Sequence, residues 1–429
     1  MQQLPSLPPR LSWLIPLALV AAQLASCAST PPATPTDALP ATVPPTLPTS
    51  EATAEQAFAR WVSAFQAQAR TSGISDATLR AAFDNVRYLP RVIESDRAQP
   101  EFTRTVWDYL DRAVSPQRVT LGRDRLAKYQ READAASARY GVPAPILAAI
   151  WGVESNFGSH FGDIPVIDAL ASLAFDGRRE AWARGQLLDA LRIIQMGDID
   201  RANMVGSWAG AMGQTQFIPS AFLAYAVDAD GDGRRDIWGS MADVFASTAN
   251  FIARSGWQSG QAWGTEVSLP PGFDVGRSAE RLPSAQWAEL GVKRMNGGPL
   301  PIMSDGASIL LPAGVRGPAF MVGANFRAIL RYNNATSYAL AVCLLAQRLD
   351  MGPGVQAPWP RDVRALNRSE VLALQNALNQ QGFDTGKPDG VMGPATQAGI
   401  RQYQRSQGLP PDGFPDQSLL QKLRLPVAE

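Results

Sequence analysis

Histidine and cysteine are nearly missing from this chain. Its 429 residues include one histidine, His160, and two cysteines, Cys27 and Cys343. A zinc peptidase or amidase draws several ligands from these residue types, so that class is set aside. A Ser-His-Asp triad would have to use His160, and no nucleophile-elbow sequence accompanies it. A charge excess of either sign is missing too, since 39 basic residues balance 39 acidic ones. Without a basic domain, nothing points to a nucleic-acid partner. Long hydrophobic runs are also absent. The uncharged stretch Leu11 to Ala22 is too short for a confident membrane span, and no other stretch could span a bilayer.

What is present suffices for several packed cores. Hydrophobic residues make up 45% of the chain, and the length suggests about three domains. Arg10 is the only charge before the Leu11 to Ala22 run, which ends in Leu24-Ala25-Ser26-Cys27. This segment resembles a bacterial lipobox. The resemblance implies that residues 1–26 are a signal peptide, that Cys27 is lipidated, and that the protein is periplasmic, anchored to the outer membrane by its acyl chains. The plainer alternative is an ordinary secretory signal with a chance cysteine. Cleavage there would leave 38 basic residues against 39 acidic ones. Residues 27–50, rich in Pro, Thr and Ala, read as an extended tether. Cys343, in the apolar run Tyr338 to Leu345, reads as a small core residue.

From Glu51 the pattern is helical. Phe58, Trp61, Val62 and Phe65 recur at helical spacing, and Ser75-Asp76-Ala77-Thr78-Leu79 begins another helix. Helices are expected over Phe102–Ala113, Val119–Tyr140, Val166–Phe175 and Glu180–Gln195. The stretch around which they gather is Gly141 to Gly162. Pro143 and Pro145 suit a first turn. Ile146, Leu147, Ile150, Trp151 and Val153 form a broad apolar face with Glu154 at its end, and Gly158 and Gly162 are expected to stop the helix. A carboxyl among apolar side chains at a helix C-terminus loses hydration and meets the negative end of the dipole, and both raise its pKa. Such a group can serve as a general acid on a glycosidic oxygen. A second informative run is Ser207 to Ser220, SWAGAMGQTQFIPS. Its small residues at 209–213 admit close backbone approach by a ligand or a neighbouring helix. Gln216 can donate and accept hydrogen bonds, and Phe217 or Trp208 could stack on a sugar face.

Gly152-Val153-Glu154-Ser155-Asn156-Phe157-Gly158 and Ala209-Gly210-Ala211-Met212-Gly213 with Gln216-Phe217-Ile218-Pro219-Ser220 resemble the two signature motifs of the B family of lytic murein transglycosylases. Arg331-Tyr332-Asn333 with Tyr338 resembles a third, and the similarity runs from about residue 55 to 350. The resemblance implies a mainly α, lysozyme-like catalytic body over residues 51–350. It implies Glu154 as sole catalytic acid/base, Ser207 as its hydrogen-bond partner, and Gln216, Phe217, Tyr332, Asn333, Tyr338 and Tyr109 on the substrate side. The implied substrate is the glycan strand of peptidoglycan, cut by a monomer with no cofactor. Glu154 would protonate the oxygen between N-acetylmuramic acid and N-acetylglucosamine, then accept the proton of the muramoyl 6-hydroxyl as a 1,6-anhydro ring closes. Hydrolysis would need a second carboxylate, for which Asp163 and Asp168 remain open. A wall-binding lipoprotein without activity is the other alternative.

Asp228 to Gly239 reads as a calcium loop. With Asp228 at position 1, carboxylates fall at 1, 3, 5 and 9 (Asp228, Asp230, Asp232, Asp236), glycine at 6, and the Arg234 carbonyl at 7. Position 12 is Gly239 rather than Glu, and related family members imply Asp243 as the substitute. A structural Ca2+ is therefore expected. The plainer alternative is an Asp/Gly turn partly neutralised by Arg234 and Arg235. Residues Thr265 to Phe320, rich in Pro and Gly, suggest a small β-containing subdomain, and Ala324 to Leu349 returns to helix. After a linker at 351–364, residues 365–425 resemble a three-helix peptidoglycan-binding module. It holds an Asp389-Gly390 turn echoed at Asp412-Gly413, with Phe383 and Tyr403 as readily core as ligand contacts.

Overall fold

The computed structural model describes residues 51–98, 104–303 and 305–426. The expected signal peptide, Cys27 and the tether lie outside the described residues. The described residues form one compact unit, mainly helical, with a small sheet and a helical C-terminal module.

The helix carrying Glu154 runs Ala144–Ser155, with Pro143 at its N-cap and Pro145 in its first turn. Ile146, Leu147, Ile150 and Trp151 are buried. They share the main core with Leu340, Cys343 and Leu344 of the Thr336–Leu349 helix. Cys343 is thus a core residue. The reversal starts earlier than Gly158. Asn156 (φ 49°) and Phe157 (φ 58°) are already left-handed before Gly158 (φ 80°). This conformation folds the Phe157 ring back under Trp151, edge to face at 5.5 Å.

Two expected single helices are each broken into a pair. Instead of one helix from Val119 to Tyr140 there are Pro116–Lys128 and Gln130–Tyr140, interrupted at Tyr129. The Tyr129 ring lies edge-on to Trp151 at 5.8 Å, so tertiary packing outweighs the local helical period. The Ala324–Leu349 stretch is divided into Ala324–Tyr332 and Thr336–Leu349, with Asn333 extended at φ −145°, ψ 120°. That break lets Tyr332 and Tyr338 stack, 6.4 Å apart with planes 9° from parallel.

The β-containing subdomain is an antiparallel sheet in the order Lys293–Arg294, Gly264–Ser268, Ala319–Val322, Ser308–Leu310. Val267, Ile309 and Met321 bury against Trp287 on its inner side. The C-terminal module packs helices Arg368–Gln380, Pro394–Ser406 and Gln417–Lys422 around Leu374, Leu378, Ile400 and Leu420. Its two Asp-Gly turns are held alike. Gln375 Oε1 accepts the Asp389 and Gly390 N–H groups, and Gln404 Oε1 accepts that of Gly413. Phe383 packs edge-on to Tyr403 at 5.6 Å, so both rings belong to the module's core.

The turn after the Glu154 helix meets the second motif backbone to backbone. Ile164–Pro165 pairs with Val205–Gly206. A Cβ on Gly162 (φ 90°) would stand 2.1 Å from the Gly206 carbonyl oxygen. Gly162→Ala is therefore expected to destabilise the fold by on the order of 2 kcal/mol or more, from backbone strain plus displacement of Gly206. Thermal unfolding checks it, and an unchanged melting curve contradicts the close approach.

Candidate active site

Glu154 is half-buried one residue before the end of its helix. Its Oε1 accepts a hydrogen bond from the Tyr338 hydroxyl at 2.6 Å. Burial pushes the Glu154 carboxyl up to about 7, and the Tyr338 bond pulls it partway back. Three tyrosines feel its charge. Burial, followed by Glu154, lifts Tyr109 to about 12 and holds Tyr332 and Tyr338 well above the usual phenol value. Tyr332 donates to the Thr215 carbonyl at 2.6 Å, which ties the third motif to the second. A carboxyl with this pKa carries a proton near neutrality yet can release it, as an acid/base requires.

Ser207, expected to bond Glu154, does not do so here. Its Oγ accepts the Ala211 N–H at 3.1 Å, and Tyr338 takes the place beside the carboxyl. Phe217 is corrected as well. It is 2% exposed and packs against Phe251 and Tyr332 at 5.7 and 5.8 Å, so the ring supports the site from within the core rather than meeting a sugar. Gln216 is left-handed (φ 52°), and its Nε2 donates to the Phe161 and Gly213 carbonyls, both at 2.9 Å. Its Oε1 has no partner among the described residues. Asn333 is exposed beyond Tyr332, and Tyr338 is buried. The small residues of the second motif make room for the protein's own chain. A Cβ on Gly213 would lie 2.7 Å from the Ile237 oxygen, and one on Gly210 would lie 2.7 Å from Leu170.

Asp168, open as a second carboxylate, is buried and already engaged. It pairs with Arg201 at 2.7 Å and accepts the Arg87 N–H. Asp163 is exposed. Neither is among the groups that shift Glu154. His160 is exposed and contacts Ser159.

Two further residues give the sequence reader no signal. Arg118 donates to the Gly152 carbonyl at 3.0 Å, and its charge pulls the Tyr109 phenol partway back down against burial and Glu154. Gln214 accepts from Trp151 Nε1 at 2.8 Å and donates to the Trp238 carbonyl at 2.7 Å. It fills the space that a side chain on Gly158 would take. A polar residue inside an apolar-looking motif becomes meaningful only when its buried partners are known.

In the acidic loop, the Asp228, Asp230 and Asp232 carboxylates lie within 4.8 Å of one another. Asp236 and Asp243 do not join them. Asp236 Oδ1 accepts the Trp238 and Gly239 N–H groups, while Asp243 is fully buried and accepts those of Ala229 and Asp236. Asp243 acts as a clamp across the loop, and burial pushes its carboxyl up to about 6. The Arg234 N–H is bonded to Asp232.

A helical body that holds a carboxyl raised by burial suits a general acid of the lysozyme kind. Residues 57–347 match the family model described as Transglycosylase SLT domain, and residues 367–423 match a peptidoglycan-binding domain. The chain is 35% identical over 246 residues to membrane-bound lytic murein transglycosylase B of Escherichia coli, across 56% of this chain and 66% of that protein. The crystal structure of SltB3 from Pseudomonas aeruginosa in complex with NAG-anhNAM-pentapeptide superposes with a TM-score of 0.83 at 51% identity, covering 86% of this chain and 100% of that one. The Escherichia coli lytic transglycosylase Slt35 in complex with calcium gives 0.59 at 29% identity, covering 69% and 93%. The chain belongs to the transglycosylase SLT family, among the lytic murein transglycosylases of the B type.

The raised Glu154 pKa makes stability depend on pH with a definite sign. The folded state keeps its proton up to about pH 7, whereas the unfolded carboxyl loses it in the ordinary carboxylate range. Stability from this group is therefore present at low pH and lost as pH rises to about 7. Glu154→Gln, which cannot ionise, is expected to raise stability at pH 8 by on the order of 2 kcal/mol, seen as a higher melting temperature, and to leave the melting temperature unchanged at pH 4. Equal effects at both pH values contradict the assignment.

Proposed function

We propose that the chain is a lytic transglycosylase that cuts the β-1,4 bond between N-acetylmuramic acid and N-acetylglucosamine in peptidoglycan. The observation that carries this reading is the raised Glu154 carboxyl held by Tyr338, with no second carboxylate among the groups that shift it and Asp168 committed to Arg201. Glu154 donates its proton to the glycosidic oxygen, and the substrate acetamido group stabilises the cationic centre at C1. The Glu154 carboxylate, supported by the Tyr338 hydroxyl, then takes the proton of the muramoyl 6-hydroxyl, which closes the 1,6-anhydro ring. No cofactor enters these steps. Tyr109, Tyr332 and Asn333 stand toward the glycan, and Gln216 keeps its free Oε1 for a hydroxyl or amide. Ser207 and Phe217 shape the loop behind them.

The same proposal covers the parts outside the described residues: a signal peptide at 1–26, lipidation at Cys27, a tether at 27–50 and attachment to the outer membrane in the periplasm, as a monomer. No helix among the described residues is long and apolar enough to cross a membrane. The catalytic domain spans 51–350, the linker 351–364 and the wall-binding module 365–425.

Glu154→Gln is expected to slow cleavage of purified glycan strands at least about a hundredfold, the scale of a lost general acid/base. Mass spectrometry should find anhydro ends, one water lighter than hydrolytic ends. A variant as active as the parent sinks the reading, and reducing ends would favour a muramidase.

We also assign a structural Ca2+ to Asp228, Asp230 and Asp232, whose clustered carboxylates suit a hard cation. Calcium at millimolar concentration is expected to raise the melting temperature by a few degrees, and Asp230→Asn to abolish the rise. Absence of any rise in the parent removes the ion from the account.

A further inference from the structure

A cavity of about 520 Å³ lies between the catalytic body and the C-terminal module, and its walls include neither Glu154 nor the three site tyrosines. The module is firmly seated beside it. Arg361 pairs with Asp111 through two bonds of 2.7 and 3.0 Å, and Arg316 with Asp362 through two of 2.9 and 2.7 Å. Trp107 of the Val106–Ala113 helix packs against Trp359 of the linker and Phe414 of the module, at 6.1 and 6.5 Å. Glu266 accepts the Gln356 and Ala357 N–H groups of the linker. The cavity is therefore built by the docked arrangement and belongs to neither part alone.

Its lining is strongly biased in charge. Arg104, Arg281, Arg327, Arg368 and Arg401 face a single carboxylate, Asp412, while Arg364, also in the wall, is paired with Glu370. In a chain with 39 charges of each sign, this imbalance is local. Asp412 is largely committed: Oδ1 accepts Gln404 Nε2 and the Phe414 N–H, and Oδ2 accepts the Val315 N–H. Arg327 comes from the body and Arg401 from the module. Arg327 Nη1 and Arg401 Nε are both buried without a hydrogen-bond partner. A buried guanidinium N–H left unbonded is unfavourable, and an anionic ligand would relieve it. Between the arginines the wall is apolar, with Leu310, Phe326, Leu330 and Met392 among its residues. A bare inorganic anion would use the cations and leave that wall uncovered. A short peptide carrying both carboxylates and alkyl side chains matches both, in a volume typical of small-molecule sites.

We propose that this interdomain cavity binds the peptide stem of peptidoglycan, with Arg327 and Arg401 taking its carboxylates and the apolar wall its alkyl groups. The inference rests on the wall-enzyme reading but not on the chemistry at Glu154. A stem so held bridges body and module, which fixes the wall relative to the active site.

The test is calorimetric titration of the full-length protein with the free wall tetrapeptide of alanine, γ-linked glutamate, diaminopimelate and alanine. Saturable binding is expected, weakened at least tenfold by Arg327→Gln or Arg401→Gln and largely retained by Glu154→Gln. The same peptide with its carboxylates amidated should bind the parent protein at least tenfold more weakly, a comparison that needs no variant to fold. Both arginine variants should cut peptide-free glycan strands as the parent does. No binding at millimolar peptide, equal affinity in folded variants, or equal binding of the amidated peptide overturns the proposal. So does displacement by inorganic phosphate as effective as by the peptide. Loss of glycan cleavage in the parent with peptide binding intact would count against the catalytic reading alone.

Discussion

The Tyr338 hydroxyl and the Glu154 carboxyl meet at 2.6 Å within a wall of aromatic rings. Burial favours the protonated acid, and the phenol favours the carboxylate. Their balance leaves one group able to give up a proton and take one back. Holding that balance requires the partners to be fixed against each other. Tyr332 stacks on Tyr338 and is pinned to the Thr215 carbonyl, while Phe217 and Phe251 pack against Tyr332. Three stretches far apart in the chain thereby form one rigid unit.

Backbone strain gathers in the same place. Among the described residues, five non-glycine residues have positive φ, and Asn156, Phe157 and Gln216 of these belong to the two motifs nearest Glu154. Each such position is retained only where its surroundings over-determine it. Here Phe157 is wedged between Trp151 and Gly152, where a Cβ would stand 2.5 Å from the ring. Gln216 is tied through its amide to the turn that follows Glu154. The glycines of both motifs serve this compression, as at Gly162 against Gly206, and so act on the protein's own backbone before any ligand arrives.

The helical period of Glu51–Thr71, the Ser75 cap and the apolar face ending in Glu154 could be read from the chain because each depends on neighbours within a few residues. The breaks at Tyr129 and Asn333 could not, because no glycine or proline marks them. They exist to bring Tyr129 onto Trp151 and Tyr332 beside Tyr338. The site divides in the same way. Glu154 and the tyrosines were legible through motif and chemistry. The inward turn of Phe217 and the engagement of Ser207 with Ala211 were not, and neither were the parts played by Arg118 and Gln214.

By itself the sequence determined the kind of chemistry available: one histidine, no surplus charge, and a glutamate at the end of an apolar helical face. It also determined the division into body, linker and module, since composition and turn residues are local properties. Tertiary structure alone decided which groups share a proton's environment, which aromatic rings are wall and which are core, and where buried arginines go unmatched. Those outcomes depend on desolvation and on contacts between residues remote in the chain, and no local spacing encodes either.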